Sequence, residues 1–283
     1  MIIIFDSLLK DYYNIIPTNI VEKDNYIFIE DNSDCYFLYE INSIVDIDYS
    51  YNLSLMVDYS DLFILNNFGK YYTIFNNRRY SLLKRIFSIH LNSAVLRFFY
   101  VGNKHRLNWR LLWIRKCDYY VSFYESIKGK FPLIDESISY YIGLFEMGIY
   151  YLKFYENYSS DCYVQHRCLN SSDYTNPFNM IIDVKERDFA EYLKYIFFND
   201  LYKDDDLYYL IHKGKNYFEF DLVIARMLLP NYYFEALDEV ASGKKNEDCI
   251  MNIITRATDY ESYLKRIICI ISKFYSIKKY PFL

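Results

Sequence analysis

The sequence predicts an α+β chain in which a small antiparallel β lobe is followed by a larger, mainly helical lobe. Three observations carry this. Before residue 86, aromatic and β-branched runs alternate with Asn-containing turns, as in hairpins. Beyond it, apolar residues recur every three or four positions, the spacing of helices packed on a core. Between the helical runs lies one long polar stretch, "QHRCLNSSDYTNPFNMIIDVKERD", over 165–188.

The strands come first. "NYIFIED" (25–31) and "DCYFLYEI" (34–41) are divided by an Asp-Asn-Ser turn, and an amphipathic helix is expected over 43–57. "DLFILNNFGKYYTIFNNRRYSLLKR" (61–85) reads as three strands turned at Asn66–Gly69 and at Asn76-Asn77, because Asn and Gly tolerate the positive φ of hairpin turns. In the helical part, "DESISYYIGLFEMGIYYLKFYE" (135–156) places Ile138, Ile142, Phe145, Ile149 and Leu152 on one face. Asp135 and Glu136 suit the start of that helix. "RDFAEYLKYIFF" (187–198) repeats the pattern; "FDLVIARMLL" (220–229) is stopped by Pro230; "NYYFEALDEVAS" ends at Gly243, a C-cap residue. Thr258 and Glu261 form a capping box ahead of "SYLKRIICIISKFY". "KDDD" (203–206) and "GKKNED" (243–248) read as solvated loop charges, and Trp109 with Trp113 as a core pair. The lobes are expected at 1–107 and 108–283, with the polar loop 165–188 inside the second.

Composition narrows the function. A chain of 283 residues that is 53% hydrophobic can bury a large core. Its net charge of −5 argues against nucleic acid, which needs a cationic field. The opening "MIIIFDSLLKDYYN" lacks a basic region before its apolar run, and "IICII" (267–271) is far short of a bilayer span. No membrane partner and a soluble, cytoplasmic origin are therefore expected. The six Cys show no CxxC spacing and the four His are scattered, so no metal site is expected. The 35 Tyr and 22 Phe fit a low-GC genome, since both have A/T-rich codons.

A β lobe, then a helical lobe broken by one polar loop, is the layout of a protein-kinase-like two-lobe fold. "RRYSLLKR" (78–85) looks like a kinase third strand ending in Lys84. "DESISYYIGLFEMGIYYL", "HRCLNSSDYTNPFNMIIDVKERDFAEYLK" and "FDLVIARMLLPNYYFEALDEV" together resemble the spore-coat kinase-like family of endospore-forming Firmicutes, of the YutH type first and the CotS type next. That family is related in fold to aminoglycoside phosphotransferases, and the resemblance covers most of the chain from about residue 62 onward.

The resemblance implies a phosphoryl-transfer site, and the residues fill it poorly. The reaction needs a backbone cradle and a Lys for the phosphates, ligands for Mg²⁺, and an Asp that takes the hydroxyl proton. The related enzymes supply His-Gly-Asp, an Asn five residues later, and a further metal-binding Asp. Here His166 is followed by Arg167 and Cys168, and Asp173 stands where the Asn is expected. A thiol is mostly protonated at neutral pH and is a soft ligand ill-suited to Mg²⁺. Loss of the base alone costs about 10²–10⁴ in rate. The only Gly available between the first two strands of the β lobe is Gly69, whereas a phosphate cradle usually takes several.

The remnants have two readings each. Lys84 meets a phosphate or is simply solvated; Asp183 binds metal or caps a turn after a strand. Asp188 is expected to cap a helix, His166 to bond the loop backbone, and Arg167 to pair with Asp173 or Asp188. The expectation is a non-catalytic protein of the endospore coat or its assembly, made in the mother-cell cytoplasm, acting on other coat or assembly proteins without a cofactor. The alternatives are an active small-molecule phosphotransferase with a rearranged ATP/Mg site, using Asp173 or Asp183 as base, and a pseudokinase that binds nucleotide without turnover.

Overall fold

The computed structural model describes residues 2–23, 25–32, 34–86, 91, 97–170 and 173–277. The chain divides into two compact units, Met1–Val101 with Tyr163–Asp183, and Gly102–Cys162 with Val184–Leu283. The expected boundary at 107 thus falls at 101. Residues 163–183 of the polar stretch group with the first unit rather than the second, where ring contacts and hydrogen bonds to Tyr39 and Asp61 hold them.

The first unit is built on an antiparallel sheet of β1 (Asn19–Glu22), β2 (Ile27–Asp31), β3 (Asp34–Glu40), β4 (Leu62–Ile64), β5 (Thr73–Phe75) and β6 (Arg78–Lys84). The order is β1-β2-β3-β6-β4, with β5 also on β6. Asn76 and Asn77, at φ 49° and 61°, close the β5–β6 hairpin as a two-residue turn with both central φ positive. Alternation along β3 sorts the two faces. Tyr36 and Leu38 join Ile27, Ile29, Tyr80 and Leu82 under α1 (Ile2–Tyr13), which contributes Leu8, Leu9 and Tyr13. Phe37 and Tyr39 point the other way with Leu83, and Tyr26, Phe28, Phe63 and Phe178 pack against them. The helix expected over 43–57 is α2 (Ile44–Ser54), whose Ile47, Ser50 and Leu53 are buried. Neither α1 nor β1 was expected.

A second sheet runs β7-β8-β9, from β7 (Phe99–Arg106), β8 (Ser159–His166) and β9 (Met180–Asp183), with β8 and β9 antiparallel.

The second unit is helical: α3 (Trp109–Ile127), α4 (Pro132–Leu152), α5 (Glu186–Phe198), α6 (Asp204–Lys213), α7 (Phe220–Leu228), α8 (Asn231–Ala241), α9 (Asp248–Ile254) and α10 (Ala257–Ile271). Trp109 and Trp113 stack at 5.5 Å inside it, as a core pair should. Two readings are corrected. Asp204–Asp206 of "KDDD" are not loop charges but the first turn of α6, where their negative charge meets the positive end of the helix dipole. Thr258 is not a cap: α10 already begins at Ala257, held by Arg256, whose guanidinium donates to the Phe197 and Phe198 carbonyls and to Asp200.

A buried polar network ties α5, α7 and α8 together. Lys194 donates to the Leu229 carbonyl and Asn231 Oδ1, both at 2.8 Å, and Arg226 Nε to Glu191 at 2.7 Å. Burial raises the Glu191 carboxyl, but the adjoining Lys194 and Arg226 cations outweigh it and hold it at about 2.

Candidate functional site

The polar loop is closed at its base by the β8–β9 ladder, which pairs His166 with Met180. Asn179 then ties it from within. Its Oδ1 accepts the Cys168 N–H at 3.0 Å, and its Nδ2 donates to the Cys168 and Asp173 carbonyls at 2.7 and 3.0 Å. Its backbone carbonyl accepts the Arg167 N–H at 2.8 Å. Asn170 accepts the Asp173 N–H and donates to its carboxylate. Asn176 caps a single 3-10 turn, Pro177–Asn179, by accepting the Phe178 N–H, while its amide donates to the Tyr39 hydroxyl at 3.2 Å. Asn170 and Asn179 are thus spent on the loop itself, and Asn176 joins it to β3.

His166 is buried at the end of β8, its ring stacked on Tyr174 at 4.4 Å, with Tyr59 at 6.1 Å. Arg167 is exposed and Cys168 half-buried. Asp173 lies mid-loop beside Asn170, and Asp183 ends β9, half-buried. Asp188 is buried in the first turn of α5, in the second unit.

On the sheet face opposite α1, Tyr39 is buried with its ring 5.3 Å from Phe178 and 5.6 Å from Tyr26. Phe37 lies 5.5 Å from Phe28 and 5.3 Å from Tyr26, and Phe63 sits 5.6 Å from Phe178. The Arg85 guanidinium covers the Phe37 ring at 4.2 Å and reaches the buried Asp61 at 3.4 Å. Asp61 in turn gives its backbone N–H to the Thr175 carbonyl at 2.8 Å. Burial lifts the Asp61 carboxyl above its ordinary range against the pull of Arg85 and Thr175. Burial, with the nearby Asp173 and Asp61 charges, drives the Tyr39 phenol well above its own. The face is therefore a slab of rings with one internal ion pair.

Two expected phosphate-binding groups stand elsewhere. Lys84 ends β6, which follows α2; in a kinase-like lobe the phosphate lysine belongs to the strand leading into the lobe helix, here β3. That strand presents Phe37 and Tyr39. Register places Lys84 opposite Tyr36, and its ammonium pairs with Asp34 at 2.7 Å. That hydrogen bond lowers Asp34 and raises Lys84. Gly69 lies in the β4–β5 connection, not between the first two strands. Its φ of +72° serves a turn fixed by Asn66, whose Oδ1 accepts the Phe68 and Lys70 N–H groups. The β1–β2 connection, residues 23–26, contains no Gly.

Among the described residues, no three His, Cys, Asp or Glu side chains gather closely enough to hold a metal ion. The arrangement brings Asp61, Arg85, Tyr39, Asp173 and Asn176 together, and Lys84 is occupied by Asp34. Sequence reasoning missed Asn179, Asp61, Arg85 and Tyr39. Asn176-Pro177-Phe-Asn179 carried a usable signal, since Asn before a Pro-led turn is a side-chain cap; Asp61 and Arg85 meet only through the strand register.

The family model described as "Spore coat putative kinase YutH" matches residues 6–267. No curated protein is a significant match. Among solved structures, spectinomycin phosphotransferase, APH(9)-Ia, in complex with ADP and spectinomycin is 12% identical, with 96% of this chain and 94% of that chain covered at a TM-score of 0.54. Its AMP-bound complex is 11% identical, with 96% and 98% covered at 0.54. An aminoglycoside phosphotransferase from Alicyclobacillus acidocaldarius is 11% identical over 91% and 93% at 0.49. At such identities the likeness to APH(9)-Ia shows the fold alone, which is protein-kinase-like.

Proposed function

Since the chain belongs to the YutH spore-coat kinase-like family, we propose that it is a non-catalytic member of the kinase fold that serves the endospore coat or its assembly through protein–protein contacts. One observation carries the reading: the sheet face that would have to accept a nucleotide is filled by Tyr26, Phe28, Phe37, Tyr39, Phe63 and Phe178 and closed by the Arg85–Asp61 pair. A nucleoside triphosphate needs bare backbone N–H groups and a cation directed at its phosphates. The first hairpin offers no glycine, and Lys84 faces Asp34.

The polar loop supports the same reading. Its sequence, His166-Arg167-Cys168, lacks the carboxylate at the third position, and Asp173 is engaged with Asn170. His166 is a stacked core ring rather than a proton carrier in contact with solvent. ATP and Mg²⁺ are accordingly not cofactors of this chain. The family supports residence in the coat, with manufacture in the mother cell as part of the proposal, and among the described residues no helix is long and apolar enough to cross a membrane.

Thermal unfolding with Mg-ATP tests this. A ligand present at about 100 times its dissociation constant adds roughly 2.7 kcal/mol to stability. The expected result is no shift at millimolar Mg-ATP. A shift of several degrees, reduced by Lys84→Ala and Asp183→Ala, would establish instead a nucleotide site rearranged around those residues.

A further inference from the structure

We propose that Tyr51 and Tyr71 form an oxidation site in the first unit, at which a haem peroxidase supplied with peroxide joins the two rings by a carbon–carbon bond. The inference goes beyond the reading of the protein as non-catalytic and does not depend on it.

α2 carries Asp48 and Tyr51 three residues apart, which sets them one above the other on the same helix face. Tyr71, in the β4–β5 connection, lies across both. Its hydroxyl donates to Asp48 Oδ1, and its ring stacks on Tyr51 with centroids 4.6 Å apart and an interplanar angle of 10°. Two further contacts hold it there. The Ser81 hydroxyl of β6 donates to the Tyr71 carbonyl at 2.5 Å, and Phe63 of β4 sets its ring edge-on to Tyr51 at 5.4 Å and to Tyr71 at 6.3 Å. Both tyrosines are half-buried, so an oxidant in solution reaches them. Tyr141 with Tyr233, at 3.8 Å, and Tyr59 with Tyr174, at 4.9 Å, are stacked pairs too, but all four of those rings are buried.

A phenol gives up an electron readily only when its proton leaves with it, because the radical cation left otherwise is a very strong acid. Asp48 stands within hydrogen-bond reach as the proton acceptor. Its hydrogen bond, with burial behind it, pushes the Tyr71 phenol up to about 12, so the ring enters the reaction as neutral phenol and not as phenolate.

The step balances as follows. Tyr71 gives one electron to the peroxidase and its hydroxyl proton to Asp48, which leaves a neutral phenoxyl radical. Tyr51 gives a second electron to the peroxidase and its proton to water. A carbon ortho to one oxygen bonds to its counterpart in the other ring, and the hydrogen on each of those carbons moves to its own oxygen to restore the phenol. Asp48 passes its proton to solvent. Two electrons and two protons have left, and they reduce one hydrogen peroxide to two waters. The new bond ties α2 to the β4–β5 connection; such a cross-link removes freedom from the unfolded chain and stabilises the unit it closes.

Peroxide and a haem peroxidase, added to the full chain in dilute solution, test the site. Dityrosine fluorescence should appear in the monomer band of a denaturing gel, and mass spectrometry of the digest should find a peptide pair joined through Tyr51 and Tyr71. The linked protein should melt at a higher temperature. Tyr71→Phe should remove the joined pair, and Tyr51→Phe does the same should the first variant fail to fold. Asp48→Asn keeps an oxygen for the Tyr71 hydroxyl but offers no base, and should slow linkage at least about tenfold. Tyr209→Phe, which removes a ring 68% exposed, should leave the rate unchanged. Circular dichroism melts confirm the fold of each variant. No dityrosine, dityrosine only between molecules or at other pairs, or an Asp48→Asn rate equal to that of the parent chain would overturn the site. Phosphoryl transfer by a chain that still forms the link would overturn the non-catalytic reading and leave this one standing.

Discussion

Phe178→Ala separates a structural ring from a ligand-stacking one. Phe178 lies in the 3-10 turn capped by Asn176 and packs on Tyr39 at 5.3 Å and Phe63 at 5.6 Å. Truncating a fully buried Phe costs about 3–5 kcal/mol, part of it from the lost ring pairs. Phe178 is only partly buried, so the expected loss falls just below that range, about 2–3 kcal/mol. Tyr39→Phe removes only the hydroxyl that accepts the Asn176 amide and should cost about 1 kcal/mol. Urea unfolding measures both, read as a lower midpoint with unchanged slope. If the slab is a filled core, stability falls by these amounts and Mg-ATP has no effect on either variant. A loss below about 1 kcal/mol for Phe178→Ala, or a nucleotide affinity that changes with it, would refute the reasoning.

Two further outcomes follow from buried charges. Glu191→Gln leaves Arg226 and Lys194 without their carboxylate in the core of the second unit, and should lower unfolding free energy by about 3–5 kcal/mol in urea melts. A change under about 1 kcal/mol would mean the network is not integral to that core. Burial raises Glu186 from 4.5 to about 7 even though it accepts the Glu219 N–H at 3.0 Å. The folded chain thus binds the extra proton between those values, and its contribution is full below about pH 4.5 and lost as pH rises through 7. Stability should fall by roughly 3 kcal/mol across that window. Glu186→Gln should flatten the fall; an equally steep profile in the variant would show that other groups produce it.

Much of the fold was legible because its periodicity is strong. The apolar faces of α4, α5, α7 and α8 follow from spacing, with Pro230 and Gly243 as punctuation, and Asn76-Asn77 fixes one hairpin. α1 was passed over because its opening Ile run suits a strand, although Leu8, Leu9 and Tyr13 have the spacing that packs it on the sheet. Counting strands from the 61–85 stretch alone made β6 look like a third strand, and that put Lys84 forward as the phosphate lysine. Its partner Asp34, and the Asp61–Arg85 pair, lie 50 and 24 residues apart in the chain and meet through strand register, which local pattern does not encode. The lost carboxylate at Cys168 was readable directly; the slab that fills the space above β3 was not, because exposed and buried aromatics look alike in a Tyr-rich sequence.

Incubation with γ-phosphate-labelled ATP and Mg²⁺, alone and with coat extract or aminoglycosides, is the most direct trial. All label should remain on ATP or appear only at the rate of the protein-free control. Label on any acceptor, abolished by Asp173→Asn or Asp183→Asn, would contradict the account.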